Sequence, residues 1–289
     1  MSLLWVNGSL IDKADARVSP FDHGFLYGDG VWEPLRVFGG RLFKGREHIA
    51  ALFATASYYE IEVPYTPAEL LAAVEATVRA NQRTDGYCRV IVTRGPGTIG
   101  PDPRKLDPQV FITAEEYQPF PSELAGHGLE VVTYPVPVVA ARTDLWRQSL
   151  GRPEVVQARH FALKCGCLDA ILICSGTAVF GTTEGNLFYV RAGMCSQVSH
   201  LDSVEAGAVL RLAYQLGAWK LAPLETVAEL RTADEVFLVG TACGVIGVVR
   251  IDGHTIGRGT EGPVTRKVRE AYHALTRGPD TIPAEGGAP

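Results

Sequence analysis

The run Phe21 to Arg36, FDHGFLYGDGVWEPLR, places His23, Tyr27, Glu33 and Arg36 within sixteen residues, and His48 and Arg89 follow it. Phenol, carboxylate and imidazole at this density can move protons, so Tyr27, Glu33 and His48 are candidates for acid–base chemistry without a cofactor. The same residue types also have plain structural uses. Tyr27 can pack as an aromatic, Trp32 can sit in a core or a subunit interface, and Arg36 and Arg89 can pair with Glu33 or Asp22. On that reading His23 orders its loop and His48 braces a helix start.

Two further patterns carry less. Gly95, Gly97 and Gly100 satisfy G-x-G-x-x-G, but a dinucleotide fingerprint must open a helix, and Pro96, Pro101 and Pro103 forbid one. A glycine-proline loop is expected there. His160 with Cys165 and Cys167 suggests metal ligands, yet zinc takes four ligands and a wider cysteine pair than CGC offers. No metal is expected.

The elements that must position these groups follow from patterning. Leu3–Val6 and Ser9–Ile11 alternate around Asn7-Gly8, a hairpin signal, and VWEPLRVF with RLF repeats it around Gly39-Gly40. Glu47–Tyr59 has apolar residues at helical spacing, and Thr66-Pro67-Ala68-Glu69 is a capping box that launches a second helix. YCRVIVTRG and QVFITAEEY read as strands. The second half alternates strands LEVVTYPV, DAILIC, NLFYV, DEVFLVG and GVVRIDG with helices PEVVQARHFALKC, SVEAGAVLRLAYQLG and PVTRKVREAYHALT. The fold class expected is α+β to mixed α/β. The boundaries expected are a small α+β domain over 1–118, a linker over 119–128, a larger domain over 129–277 and a disordered tail over 278–289.

Composition excludes several partners. At 289 residues, 46% hydrophobic and 20% charged, with a formal net charge of −5, the chain reads as globular, with no basic block for nucleic acid and no apolar run that would span a bilayer. Its six cysteines read as reduced thiols, and the polar opening MSLLWVNGSLIDKADAR shows no export signal, so a cytoplasmic location is expected.

The run at 21–36, His48 opening a helix, VTRGPGTIGPDPRK, TEGNLFYV, TADEVFLVGTA and GPVTRKVREAYHAL together resemble the class IV, or fold-type IV, aminotransferases. The resemblance is strongest to branched-chain amino acid aminotransferase and aminodeoxychorismate lyase members. It covers nearly the whole chain. It implies a small N-terminal α+β domain, a larger pseudo-barrel domain like that of D-amino-acid aminotransferase, a pyridoxal 5′-phosphate cleft and a homodimer. It also implies that Tyr27, Arg36 and Arg89 surround a substrate carboxylate, that Trp32 forms an aromatic wall, and that the Gly240-Thr241-Ala242 turn faces carboxylate or phosphate.

The chain departs from the family on the cofactor side. The arginine of H-x-x-R-L, which holds phosphate, matches Ala51. The lysine that forms the Schiff base with the cofactor matches Gln148, and the nearby tyrosine matches Arg152. The carboxylate beside the pyridine nitrogen, five residues before Asn186, matches Gly181, with Glu184 a candidate substitute. The phosphate helix appears as Gly207-Ala208-Val209, where Val209 stands for a threonine. No lysine occurs from Leu106 to Leu163, and Lys164 is about 24 Å of helix away from the required place. Loss of the arginine and threonine would weaken phosphate binding by about 2–4 kcal/mol, roughly 30- to 1000-fold. Arg147 and Arg152 would add cations for an anionic ligand.

The function expected is therefore a branched-chain-like homologue that has lost cofactor-dependent transamination and binds no cofactor covalently, with a pocket for a small carboxylate, an amino acid or 2-oxo acid. The alternatives are an active aminotransferase or aminodeoxychorismate lyase, a cofactor-independent enzyme, or a regulatory subunit in a heterodimer with an active paralogue.

Overall fold

The computed structural model describes residues 2–104, 106–137, 148–174, 178–198, 203–221 and 226–278. Lys105, Arg147 and the tail expected to be disordered from 279 onward lie outside the described residues. The described residues cluster into two compact units, one of 2–117, 148–152 and 275–278, the other of 118–137, 153–174, 178–198, 203–221 and 226–274. Residues 118–128 group with the second unit, whereas 148–152 join the first.

In the first unit the order is β1 (Leu3–Val6), β2 (Ser9–Asp12), α1 (His23–Tyr27), β3 (Gly30–Phe38), β4 (Arg41–Leu42), α2 (Gly45–Tyr58), α3 (Pro67–Ala80), β5 (Gly86–Thr93) and β6 (Gln109–Glu115). The strands form one antiparallel sheet in the order β2-β1-β6-β5-β3-β4. Asn7 and Gly8 take positive φ, 45° and 97°, as the two-residue hairpin turn requires. Thr66 and Glu69 close the capping box of α3, each side chain accepting from the other's backbone N–H.

Because side chains alternate across a strand, β3 has two distinct faces. Val31, Leu35 and Val37 are fully buried with Cys88, Val90 and Val92 of β5, against Ile49 and Leu52 of α2 and Leu70 and Val74 of α3. Each such side chain contributes about 1.5–3 kcal/mol. The other face carries Trp32, Arg36, Tyr87 and Arg89. It is the chemically rich face.

In the second unit a 3-10 turn (Ser122–Leu124) precedes β7 (Leu129–Pro135), α4 (Pro153–Lys164), β8 (Asp169–Cys174), β9 (Ala178–Thr182), β10 (Asn186–Arg191), β11 (Met194–Gln197), α5 (Val204–Gln215), α6 (Val227–Arg231), β12 (Glu235–Gly240), β13 (Gly244–Ile251), β14 (His254–Thr255) and α7 (Pro263–Arg277). Its curled sheet runs β11-β10-β12-β13-β7-β8-β9, with β14 on β13. β7 pairs in parallel with both β13 and β8, and the other pairings are antiparallel. Leu187, Leu238, Ile171 and Ile251 form its core. No described helix is long and apolar enough to cross a membrane.

Candidate active site

In the first unit a short segment is added to β3. Trp32 N donates to Gln148 O at 2.8 Å, Leu150 N donates to Gly30 O at 3.0 Å, and Val31 bridges Ser149 in antiparallel register. The indole Nε1 of Trp32 then donates to Ser149 O at 3.1 Å. Glycine makes this approach possible. A Cβ on Gly28, which sits at φ 68°, would lie 2.6 Å from the Gly151 Cα. Gln148 is thereby fixed beside Trp32, and its Oε1 accepts from Arg152 Nη1 at 3.0 Å. These two residues, expected from the resemblance to stand at the family's lysine and tyrosine positions, are bonded to one another.

On the same face the Arg89 guanidinium lies 4.3 Å above the Trp32 ring and 5.7 Å from that of Tyr87. Its Nη2 donates to the Tyr87 hydroxyl at 3.4 Å, while Nε is buried without a partner among the described residues. No described carboxylate lies within ion-pair range of it. The ion pair considered for Arg89 with Glu33 or Asp22 therefore does not form; Asp22 instead caps α1 and accepts from Thr93 Oγ1 at 2.8 Å. Arg36, opposite Tyr87 in the ladder, donates to Tyr117 O at 3.0 Å.

The acid–base candidates are spoken for. Glu33 accepts from His48 Nδ1 at 2.7 Å on the helix-covered face of β3, where both are buried. Glu33 faces α2, which carries His48, and is thus on the opposite side of the sheet from Trp32 and Arg89. The Tyr27 hydroxyl donates to Ile99 O, and His23 Nε2 bonds Thr98 O at 3.0 Å, so both tie α1 to the glycine-proline loop. Ala51 is half-buried on α2.

In the second unit the residues gather around the turn between β9 and β10. Asp169 is fully buried, and its Oδ1 accepts from Ala170 N at 2.7 Å and Thr183 N at 3.1 Å, holding the turn. Gly181, expected from the resemblance to stand at the family's carboxylate position, carries no side chain. Glu184 does not stand in for it freely, since Arg159 Nη1 donates to its Oε1 at 3.3 Å. Gly185 and Gly240 let the two turns touch, because a Cβ on Gly185 would meet Val239 O at 2.2 Å and one on Gly240 would meet Glu184 O at 2.4 Å. Gly240, Thr241 and Ala242 open the turn from β12 to β13, and Thr241 and Ala242 are half-buried.

The helix read over SVEAGAVLRLAYQLG is α5, which starts at Val204 with Ser203 as its N-cap, so Gly207 lies inside it and its N–H is donated to Ser203 O at 2.9 Å. Val209 is fully buried core. The helix start is Ser203-Val204-Glu205-Ala206, and Glu205 is the residue that sequence reasoning missed. An N-cap serine followed two residues on by an acid was the available signal.

Burial pushes the Asp169 carboxyl above the usual carboxylate range, against the lowering effect of Thr183, Ala170 and Thr182. Its folded value therefore exceeds the unfolded one. Between the two, the folded chain holds a proton that the unfolded chain has released, so stability falls as pH rises from about 4 through that window. Asp169→Asn keeps the Oδ1 acceptor and removes the titration. It should flatten the pH dependence of urea unfolding over that range, and an unchanged slope would contradict this assignment.

A search of known families matches the amino-transferase class IV profile over residues 30–251. The chain belongs to the class IV aminotransferases. A Methanocaldococcus jannaschii protein provisionally named a branched-chain-amino-acid aminotransferase is 35% identical to it, covering 93% of this chain and 94% of its own. D-alanine aminotransferase of Bacillus licheniformis is 32% identical over 92% of this chain and 94% of its own. Among solved structures, a T.th. branched-chain amino acid aminotransferase with pyridoxamine 5′-phosphate superposes with a TM-score of 0.88 at 29% identity, covering 97% of this chain and 96% of its own. This class IV aminotransferase thus has the fold-type IV architecture and is branched-chain-like. The family depends on pyridoxal phosphate. Among the described residues of this member, however, no lysine is buried: Lys13 and Lys44 pair with Glu115 and Glu47, and Lys164, Lys220 and Lys267 are exposed.

Proposed function

We propose that this class IV aminotransferase no longer carries out pyridoxal-phosphate-dependent amino-group transfer and binds a small carboxylate, an amino acid or a 2-oxo acid, on the Trp32–Arg89 face. The observation that carries the reading is the Gln148–Arg152 hydrogen bond at the position matched to the lysine, with no described lysine buried. An amide offers no amine to condense with an aldehyde, and the cofactor's other holders match Ala51 and Gly181. The residues present do not fit covalent pyridoxal phosphate.

Arg89 supports the retained half of the reading. A half-buried guanidinium between two aromatic rings, with no described counter-ion, is poised for an anion, and its flat fork suits a carboxylate. Trp32, Arg36 and Tyr27 complete the proposed substrate side, and the Gly240-Thr241-Ala242 turn of the second unit offers backbone amides to an anion. The family is pyridoxal-phosphate-dependent and its named relatives are aminotransferases, which favours the competing reading of an active enzyme of branched-chain or aminodeoxychorismate lyase type. That reading needs an amine these positions lack. We further propose a cytoplasmic protein that pairs with itself or with an active paralogue. Exposed Phe21, Phe25 and Ile99 offer apolar surface for such an interface.

The test is an absorbance spectrum and thermal shift with pyridoxal phosphate, before and after combining Gln148→Lys, Gly181→Glu and Ala51→Arg. No visible band and no stabilisation are expected before, and partial recovery of both after. A cofactor band in the unmodified protein would reject the proposal.

A further inference from the structure

We propose that the N-terminus of α5 is filled by the chain's own carboxylate, that of Glu205, so that the second unit takes neither free phosphate nor a phosphate ester at this helix. The inference deepens the reading above, resting on it for the departure of the family's phosphorylated cofactor. Its test needs no lysine and no aldehyde.

A helix start is a ready anion site, because its first N–H groups lack intrahelical partners and the helix dipole favours negative charge there. In α5, twelve residues long, Ser203 Oγ accepts from Ala206 N at 3.1 Å and is itself fixed by Asn186 Nδ2 at 2.9 Å. Glu205 is the acid of the first turn, and only 1% of it is exposed. A glutamate on a helix surface would normally reach water. This one is enclosed at the positive end of the helix, where an external anion would otherwise be drawn.

Its surroundings reinforce the point. The Cys243 thiol is pushed well above its ordinary range by burial first, then by the charges of Glu184 and Asp169, with Glu205 also contributing. Arg159 is already engaged, its Nη1 donating to Thr183 Oγ1 and Glu184 Oε1 and its Nη2 to the Pro119 carbonyl. A phosphate dianion at this helix start would meet the like charge of Glu205. The same unit also sets a carboxylate from outside the helix at the start of α7, where Glu235 of β12 accepts from Val264 N at 3.0 Å and from Thr265 N and Oγ1 at 2.7 Å. There Gly262 is required, since its Cβ would lie 2.0 Å from the Glu235 Cδ.

Isothermal titration of inorganic phosphate into the full-length protein, Glu205→Gln and Glu205→Thr tests this. The glutamine variant keeps the shape of the side chain should the threonine variant fold poorly, and circular dichroism with thermal unfolding checks both. The wild type should show no saturable phosphate binding, while removal of the charge should tighten binding about tenfold or more, the gain expected of one charge-assisted contact. Saturable binding by the wild type as tight as in the variants, or folded variants that bind no better than the wild type, would overturn the inference.

Discussion

Arg89→Ala should weaken binding of a small monocarboxylate, such as a branched 2-oxo acid, by about 10- to 100-fold, the equivalent of roughly 1.5–3 kcal/mol for a charge-assisted hydrogen bond lost in a partly desolvated place. The expectation rests on geometry. The guanidinium is clamped 4.3 Å from Trp32, and its Nε is buried with no partner among the described residues. It has no described carboxylate to release before a ligand arrives, so the whole of the new contact counts toward affinity. Arg89→Lys should recover only part of the loss, because an ammonium cannot present two parallel donors or stack flat on the indole. The cost to folding should be about 1–2 kcal/mol, since the removed contacts are two cation–π pairs and one long hydrogen bond. Titration calorimetry with the three proteins distinguishes this from a packing role, in which all would bind alike.

Glu235→Ala should have the largest effect on stability, about 3 kcal/mol, or a fall of roughly 6–12 °C in the unfolding temperature. The substitution strips two backbone N–H groups and one hydroxyl of their acceptor at the start of a fifteen-residue helix, and Thr265 is 1% exposed, so water does not replace it. The cavity beside Gly262 adds to the cost. Glu235→Gln retains the oxygen acceptor at one position and should lose about half as much. Thermal unfolding followed by circular dichroism reads both, and an alanine variant within about 1 °C of wild type would show that the cap carries little.

Periodicity exposed most of this fold and local chemistry exposed part of the site. β3 and β5 were legible because one face alternates cleanly between buried apolar residues and larger polar ones, and α3 because Thr66-Pro67 and Glu69 fix its start. β9, AVFGT, and β11, MCSQ, were not, since four or five residues with a glycine or cysteine carry no distinct period and are placed by pairing to β8 and β10. α1 was missed for a similar reason: five residues, HGFLY, are held by the Asp22 cap and not by helical propensity. On the site side, Gln148 was singled out by the resemblance, which matches it to the family's lysine, within a stretch from Leu106 to Leu163 that contains none. Its bond to Arg152 was not, because side chains four apart outside a helix meet only when the backbone is pinned, here by pairing to Gly30 and Trp32. The start of α5 was legible in SVEAGAVLRLAYQLG, where Ser203 is the N-cap, but the enclosure of Glu205 was not, because first-turn acids are ordinarily solvent-facing. That Glu33 and His48 meet beneath α2 was not legible, because it depends on which face of β3 the helix carrying His48 covers.

The reading as a whole turns on an absent amine, which chemical trapping can count. The wild-type protein is mixed with equimolar pyridoxal phosphate, reduced with borohydride, and analysed by intact mass and peptide mapping. Scattered, substoichiometric labelling of surface lysines such as Lys164 and Lys267 is the expected result. A single stoichiometric phosphopyridoxyl group on one internal residue would contradict the account.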